Sequence, residues 1–485
     1  MPLRRLALPL FLALAIAGCL PISAPPPQGL QPPTPALAAA AGPGSSGLND
    51  PLFPLLGNGG YDVQHYALDL DVHVPSNTIT ATATIVATAT QNLSAFNLDF
   101  SGLTVTEITV NDLAAVHTRS DPEMTVVPAL PLMEGSLFTT TVSYHGTPRP
   151  LRDPAIGFAA LGWNHAGNLI YVVSEPSGAM TWYPNNNHPS DKATYTMRVT
   201  VDKPYTVAAN GELVKIEEQD GRRATYTWTM DAPMASYLAT LVIGDLVRVD
   251  NERSGQVRIR NYFPTEDANR LAIQFSVTAE MIDYYSAILG DYPFETYGVA
   301  VLPFHLGYAL ETQTLSIFGN DGGMEGVIAH ELMHQWLGNH VTPATWQDIW
   351  LNEGFATYFQ RLWLDHKLGR GFLDTGMVSY YKLLKAGHAG PPGAVGAHDM
   401  FSSTVYERGA WTLHALRLQV GDEAFFRIIR EYYRRHAGGN VSTAGFIAVA
   451  NEVSGQDLTE FLNNWIYGPE LPPIPEETIT DTEGN

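Results

Sequence analysis

The chain has 485 residues, enough for two or three domains with substantial cores. Hydrophobic residues make up 45% and charged residues 16%, as in ordinary globular proteins, and a formal charge of −22 argues against nucleic acid as a partner. A single cysteine, Cys19, excludes any intrachain disulfide.

In chain order, Arg4 and Arg5 precede an apolar run, Leu6 to Ala17, that is too short to span a membrane comfortably. Ile16-Ala17-Gly18-Cys19 resembles a bacterial lipobox, which implies a signal peptide over 1–18 and a lipid on Cys19. An ordinary secretory signal is the other reading, and both imply export. Residues 19–50 are rich in Pro, Ala, Gly and Ser and are expected to form a flexible, lipid-anchored linker.

From Tyr61 the pattern alternates. Tyr66, Leu68, Leu70, Val72 and Val74 interleave with polar residues, and similar short runs recur at 80–90, 103–110, 138–144, 195–201, 224–230 and 237–243. Asn210-Gly211 marks a turn between two of them. The spacing predicts a mostly antiparallel β-domain over 51–252. Helical spacing then predicts one helix from about Asn269 to Gly290, a buried strand over 299–304 and an extended segment over 308–316. Further helices are expected at 352–367, 372–386, 408–419, 422–435 and 457–466, completing a domain over 253–472 before an acidic tail, 473–485.

The chemistry concentrates in His330-Glu331-Leu332-Met333-His334, followed after 18 residues by Glu353. On a helix the two histidines share one face and can grip one metal ion, with Glu331 beside it. Two histidines and a glutamate suit zinc and leave a fourth position for water, the pattern of a catalytic site.

Residues His330 to Asn339, Val341-Thr342-Pro343 and Trp350 to Tyr358 resemble the zinc aminopeptidases typified by aminopeptidase N and the leukotriene hydrolases. The resemblance runs from about Tyr61 to Pro473. It implies an N-terminal antiparallel β-sandwich saddle domain followed by a thermolysin-like mixed α/β, helix-rich catalytic domain. It further implies one zinc per chain on His330, His334 and Glu353, with Glu331 as general base. Val405-Tyr406-Glu407-Arg408-Gly409-Ala410 is similar to the family's tyrosine motif, implying that Tyr406 stabilises an oxyanion. The family's Gly-x-Met-Glu-Asn strand is matched by Tyr308-Ala309-Leu310-Glu311-Thr312, with Tyr308 and Thr312 departing from it. Ala309 and Leu310 would line the substrate, while Glu311 would hold its α-ammonium. Glu175, in Ser174-Glu175-Pro176, matches the family's second acidic anchor, against the alternative of a solvated surface glutamate.

The reading that follows is a zinc aminopeptidase acting on peptides with a free N-terminus and tethered to a membrane through Cys19. The same scaffold also supports a zinc endopeptidase, an epoxide hydrolase or an inactive peptide-binding protein. Longer relatives carry a C-terminal helical domain over the site; only about 130 residues follow Glu353 here, so a more open cleft is expected.

Overall fold

Alternating burial explains the first half of the protein. In the strand Tyr61–His73, Tyr66, Leu68, Leu70 and Val72 are buried while Asp69 and Asp71 face solvent. This strand lies at the middle of an eight-stranded sheet, between Lys192–Asp202 and Thr78–Ala89. The sheet is mostly antiparallel, as expected, with one parallel pair, Tyr61–His73 beside Lys192–Asp202. Smaller four-stranded sheets complete this β-region. One contains Leu93–Asp99 and Glu123–Val127; another contains Leu169–Val173, Leu241–Gly244 and Thr206–Ala209.

The computed structural model describes residues 40–475, apart from 154–155, 158–159, 251–253 and 370. The expected signal peptide, Cys19 and the end of the acidic tail lie outside the described residues. From Ala41 onward the described residues form one compact unit. Residues 42–50, expected to belong to a tether, are part of it. Gly42–Pro43 pairs with Leu93–Asp99, and Asp50 is buried, accepting from Trp346 N at 2.7 Å and lying 3.2 Å from His188 Nε2. Among the described residues no helix is long and apolar enough to cross a membrane.

Asn210 and Gly211 do form a corner, but not a hairpin. Thr206–Ala209 pairs with Leu241–Gly244, whereas Glu212–Gln219 pairs with Arg223–Ala235, so the chain changes sheets there. The dipeptide reports a reversal, and pairing is decided by long-range partners it cannot encode. On either side of the boundary expected at 252/253, Leu246–Asp250 pairs with Arg258–Pro264 in a five-stranded sheet.

The second half is mainly helical, with α1 (Ala268–Gln274), α2 (Thr278–Leu289), α3 (Glu325–Met333), α4 (Trp350–Leu368), α5 (Phe372–Ala386), α6 (Gly409–Val420), α7 (Asp422–His436), α8 (Thr443–Ser454) and α9 (Thr459–Tyr467). The single helix predicted over 269–290 is broken at Phe275–Val277. Ser276 Oγ donates to Ile273 O and Thr278 Oγ1 to Phe275 O, so hydroxyls compete for the backbone where Phe275 packs on Phe263 and Phe318. Helix α8 was not anticipated; Ser442 caps it by accepting from Gly445 N, and Gly455 ends it in the left-handed region.

Candidate active site

Helix α3 follows a glycine-containing loop and packs Ile328, Ala329, Leu332 and Met333 into the core, which turns His330 and Glu331 toward a cavity. His334 stands in the turn that ends the helix. Tyr285 Oη donates to Ala329 O and Phe359 O, each at 3.2 Å, bridging α3 to α4, which carries Glu353. The Nε2 atoms of His330 and His334 lie 3.2 and 3.5 Å from Glu353 Oε2. Two ligands about 2.0–2.1 Å from one tetrahedral centre are separated by roughly 3.4 Å, so the three donors have the spacing of a zinc site. One ligand atom from each residue falls within 4.8 Å of the others.

The electrostatics also call for a cation. Burial pulls the His334 imidazolium down, yet Glu311, Glu353 and Glu331 together push it up to about 10. Burial would raise the Glu353 carboxyl, but His334 and the hydrogen bond to His330 hold it down to about 2. Glu331 is raised by burial and by Glu311 and Glu353, against the opposing pull of His334. His334 Nδ1 is buried without a hydrogen-bond partner, 4.0 Å from Glu311 Oε1. A divalent ion on the Nε2 side would balance this concentration of carboxylates. The donor set fits zinc.

The other anticipated residues come to the same place. Glu175, Ala309, Leu310, Glu311 and Tyr406 line one cavity of about 450 Å³ with His330, Glu331, His334 and Glu353. Glu175 is 6% exposed, which removes the surface alternative. Its carboxylate oxygens come within 4.8 Å of those of Glu311 and Glu353. Tyr406 sits in a π-helical turn, Thr404–Arg408, with its ring parallel to His330 at 5.9 Å. Burial and the surrounding glutamates, Glu353 first, keep its O–H protonated. The extended segment expected over 308–316 is not continuous: only Leu310 is bridged, to Ile317, and the chain turns at Gln313–Thr314, where Thr314 has φ +64 before the strand Ser316–Phe318.

Several contributors were not read from the sequence as site residues. Asn339 Nδ2 and Gln335 Nε2 both donate to Glu311 O, at 2.7 and 3.0 Å, so the run that follows His334 holds the 308–312 segment in place. From the β-region, Asn210 Nδ2 donates to Gln313 O and Gly211 N to Thr314 Oγ1. Gly338, at φ +137, lies against His334; a Cβ there would come 2.8 Å from Nδ1. Gly354 and Gly409 meet backbone to backbone, a Cβ on Gly354 lying 2.8 Å from Gly409 C, and so bring α4 and the Tyr406 turn together. Gln335, Gly338, Asn339, Gly354 and Gly409 all fall within the conspicuous motifs, yet their task is visible only in three dimensions. Arg408, two residues beyond Tyr406, is fully buried and reaches away from the cavity lining. It donates to the carbonyls of Trp465, Ala389, Asn464, Gly468 and Glu470.

The cavity walls are apolar, with Ile156, Leu161, Val173 and Tyr308 on one part and Phe372 and Phe401 on another. Phe372 and Tyr380 remain 42% and 38% exposed while lining it, so the cavity opens to solvent beside α5. A second hollow of about 640 Å³ adjoins it, sharing Tyr380 and Glu407.

Comparison with known proteins agrees with this geometry. The Peptidase M1 N-terminal domain matches residues 62–238 and the Peptidase family M1 domain matches 273–465. Aminopeptidase 2 of Candida albicans is 24% identical over 380 residues, covering 73% of this chain and 41% of its own length. Leukotriene A-4 hydrolase of Xenopus laevis is 26% identical over 457 residues, covering 85% and 72%. The chain thus spans about two fifths of the length of relatives such as aminopeptidase 2. A crystal structure of an M1 zinc metallopeptidase from Deinococcus radiodurans, a point mutant bound to a Tyr-Ser-Ala substrate, superposes with a TM-score of 0.83 at 34% identity. That superposition covers 89% of this chain and 100% of the other. A two-domain M1 zinc metallopeptidase mutant bound to L-arginine gives the same TM-score and coverage. With both domains matched in order and a solved relative covered end to end, the chain belongs to peptidase family M1.

Proposed function

We propose that the protein is a zinc aminopeptidase that removes the first residue from peptides with a free N-terminus. The observation that carries this reading is the convergence of Glu175 and Glu311 beside the His330, His334 and Glu353 set. Two buried carboxylates that no lysine or arginine offsets among the described residues suit an α-ammonium, which places the first peptide bond, not a later one, next to the metal.

His330, His334 and Glu353 would hold the zinc, which when bound acidifies a water and polarises a carbonyl. Glu331 takes the proton of the attacking water and returns it to the leaving amine. The Tyr406 O–H donates to the oxygen that gains negative charge as the carbonyl carbon becomes tetrahedral. Gln335 and Asn339 fix the Glu311 carbonyl and with it the distance between the amine anchor and the histidines. Val173 and Tyr308, close in sequence to the two anchors, favour an apolar first side chain.

One peptide with free and acetylated N-termini tests the reading. Cleavage restricted to the free form is expected; equal cleavage of both would favour an endopeptidase. The lipobox-like run supports a second proposal, that the chain is exported and anchored through a lipid on Cys19. Replacing Cys19 with serine should move the protein from the membrane fraction to the soluble one, and unchanged fractionation would sink the idea.

A further inference from the structure

The β-region contains a second acid pair, with buried carboxyl oxygens, that does not line the candidate active-site cavity. Asp99 ends the strand Leu93–Asp99 and lies directly across from Glu123. Asp99 is fully buried, and the Glu123 carboxyl is within hydrogen-bonding reach of it. Asp99 Oδ2 is satisfied by Asn58 Nδ2 at 3.0 Å and Asn187 N at 2.8 Å. Its Oδ1 has no donor, nor has either oxygen of Glu123, and all three atoms are buried. Two ionised carboxylates that face each other without a hydrogen between them repel.

The neighbouring amides add to the imbalance. Asn58 and Asn185 are buried at 1% and 0% exposure, and the Oδ1 of each is without a partner. Asn58 is held against Asp99 through its own Nδ2, and Asn185 pairs with Asp99 backbone to backbone, 2.8 Å from Asp99 N to Asn185 O. Among the described residues no lysine, arginine or histidine offsets Asp99 or Glu123. Buried oxygen acceptors in this number normally find a donor, a water or an ion.

We propose that Asp99 and Glu123, with the amide oxygens of Asn58 and Asn185, hold a buried divalent cation of the calcium class. All the donors are hard oxygens, which disfavours zinc; two carboxylates supply the charge for a divalent ion. Magnesium retains several waters, whereas calcium accepts an irregular shell of carboxylate and amide oxygens. The ion would tie the Asn58 loop, two strands and the 185–191 turn together, and its loss would be felt in stability and not in the chemistry of peptide cleavage.

The test uses the full chain with its zinc in place. Elemental analysis of protein purified in calcium-containing buffer should find about one calcium per chain beside the zinc. Calcium added to calcium-depleted, zinc-loaded protein should raise Tm by on the order of 3 °C, with a much smaller response to magnesium or sodium. Glu123→Gln supplies Asp99 with an N–H donor, so this variant should fold, keep its zinc and lose both bound calcium and the Tm response. The proposal is overturned if calcium is absent at stoichiometric level, or if wild type and Glu123→Gln respond equally. It also fails if the pair simply shares a proton, seen as a Tm that falls with rising pH and ignores calcium.

Discussion

At the level of single residues the roles separate into chemistry and support. Glu331→Gln should lower kcat about 10²- to 10⁴-fold while zinc content stays stoichiometric, because only the proton acceptor is lost. Tyr406→Phe should lower kcat about 10²- to 10³-fold with little change in KM, since its hydrogen bond strengthens only as the oxyanion forms. Glu311→Gln should act differently, losing about 10- to 100-fold in kcat/KM for peptides with a free amine and narrowing the preference over acetylated ones. Aminoacyl-arylamide kinetics with parallel metal analysis would check all three. That His330, Glu331, His334 and Glu353 come together was legible because H-E-x-x-H and Glu353 carry their spacing in the sequence. Asn339 and Gln335 were not, because a side chain that holds a carbonyl 24 or 28 residues away leaves no local pattern.

At the level of elements, the helices were legible and their contacts were not. Helices α5 and α7 occupy nearly the predicted residues, since periodic apolar positions and flanking glycines report directly on helix ends. What the period cannot report is that α4 and the Tyr406 turn touch through Gly354 and Gly409. Gly409→Ala should force that contact apart, lowering stability by about 1–3 kcal/mol and slowing catalysis by displacing Tyr406 from Glu353. Denaturant unfolding and kcat measured on one preparation would reveal both effects. Arg408→Met, which strands five backbone carbonyls, should reduce stability by a few kcal/mol, about 2–4. Pairing in the β-region was equally hidden: alternation identified the strands, yet only the assembled sheet shows that Tyr61–His73 runs parallel to Lys192–Asp202.

At the level of the whole molecule, pH and the junction between the halves matter most. Burial, aided by nearby cations, holds the His340 and His414 imidazoles down to about 4, below their unfolded value near 6.5. Between pH 6.5 and 4 the unfolded chain therefore binds these protons first, and stability falls as pH falls. Each group removes up to about 1.4 kcal/mol per pH unit across that window. His414→Gln should give a shallower decline than wild type in urea unfolding over the same range; an unchanged slope would count against it.

The junction itself is drawn in by Lys192, whose Nζ donates to Asn339 O at 3.0 Å, His340 O at 2.9 Å and Gly439 O at 3.4 Å. Asn339 in turn grips Glu311, while Glu175 follows a strand of the β-region. In the proposed reading the two amine anchors thus sit on different parts of one fold, and the distance between them is set by how those parts pack. Fidelity of register, trimming one residue and not two, becomes a mechanical tolerance of the interface. Under the proposed function, replacing Lys192, which does not line the cavity, should then appear as miscounting: dipeptide products beside single amino acids.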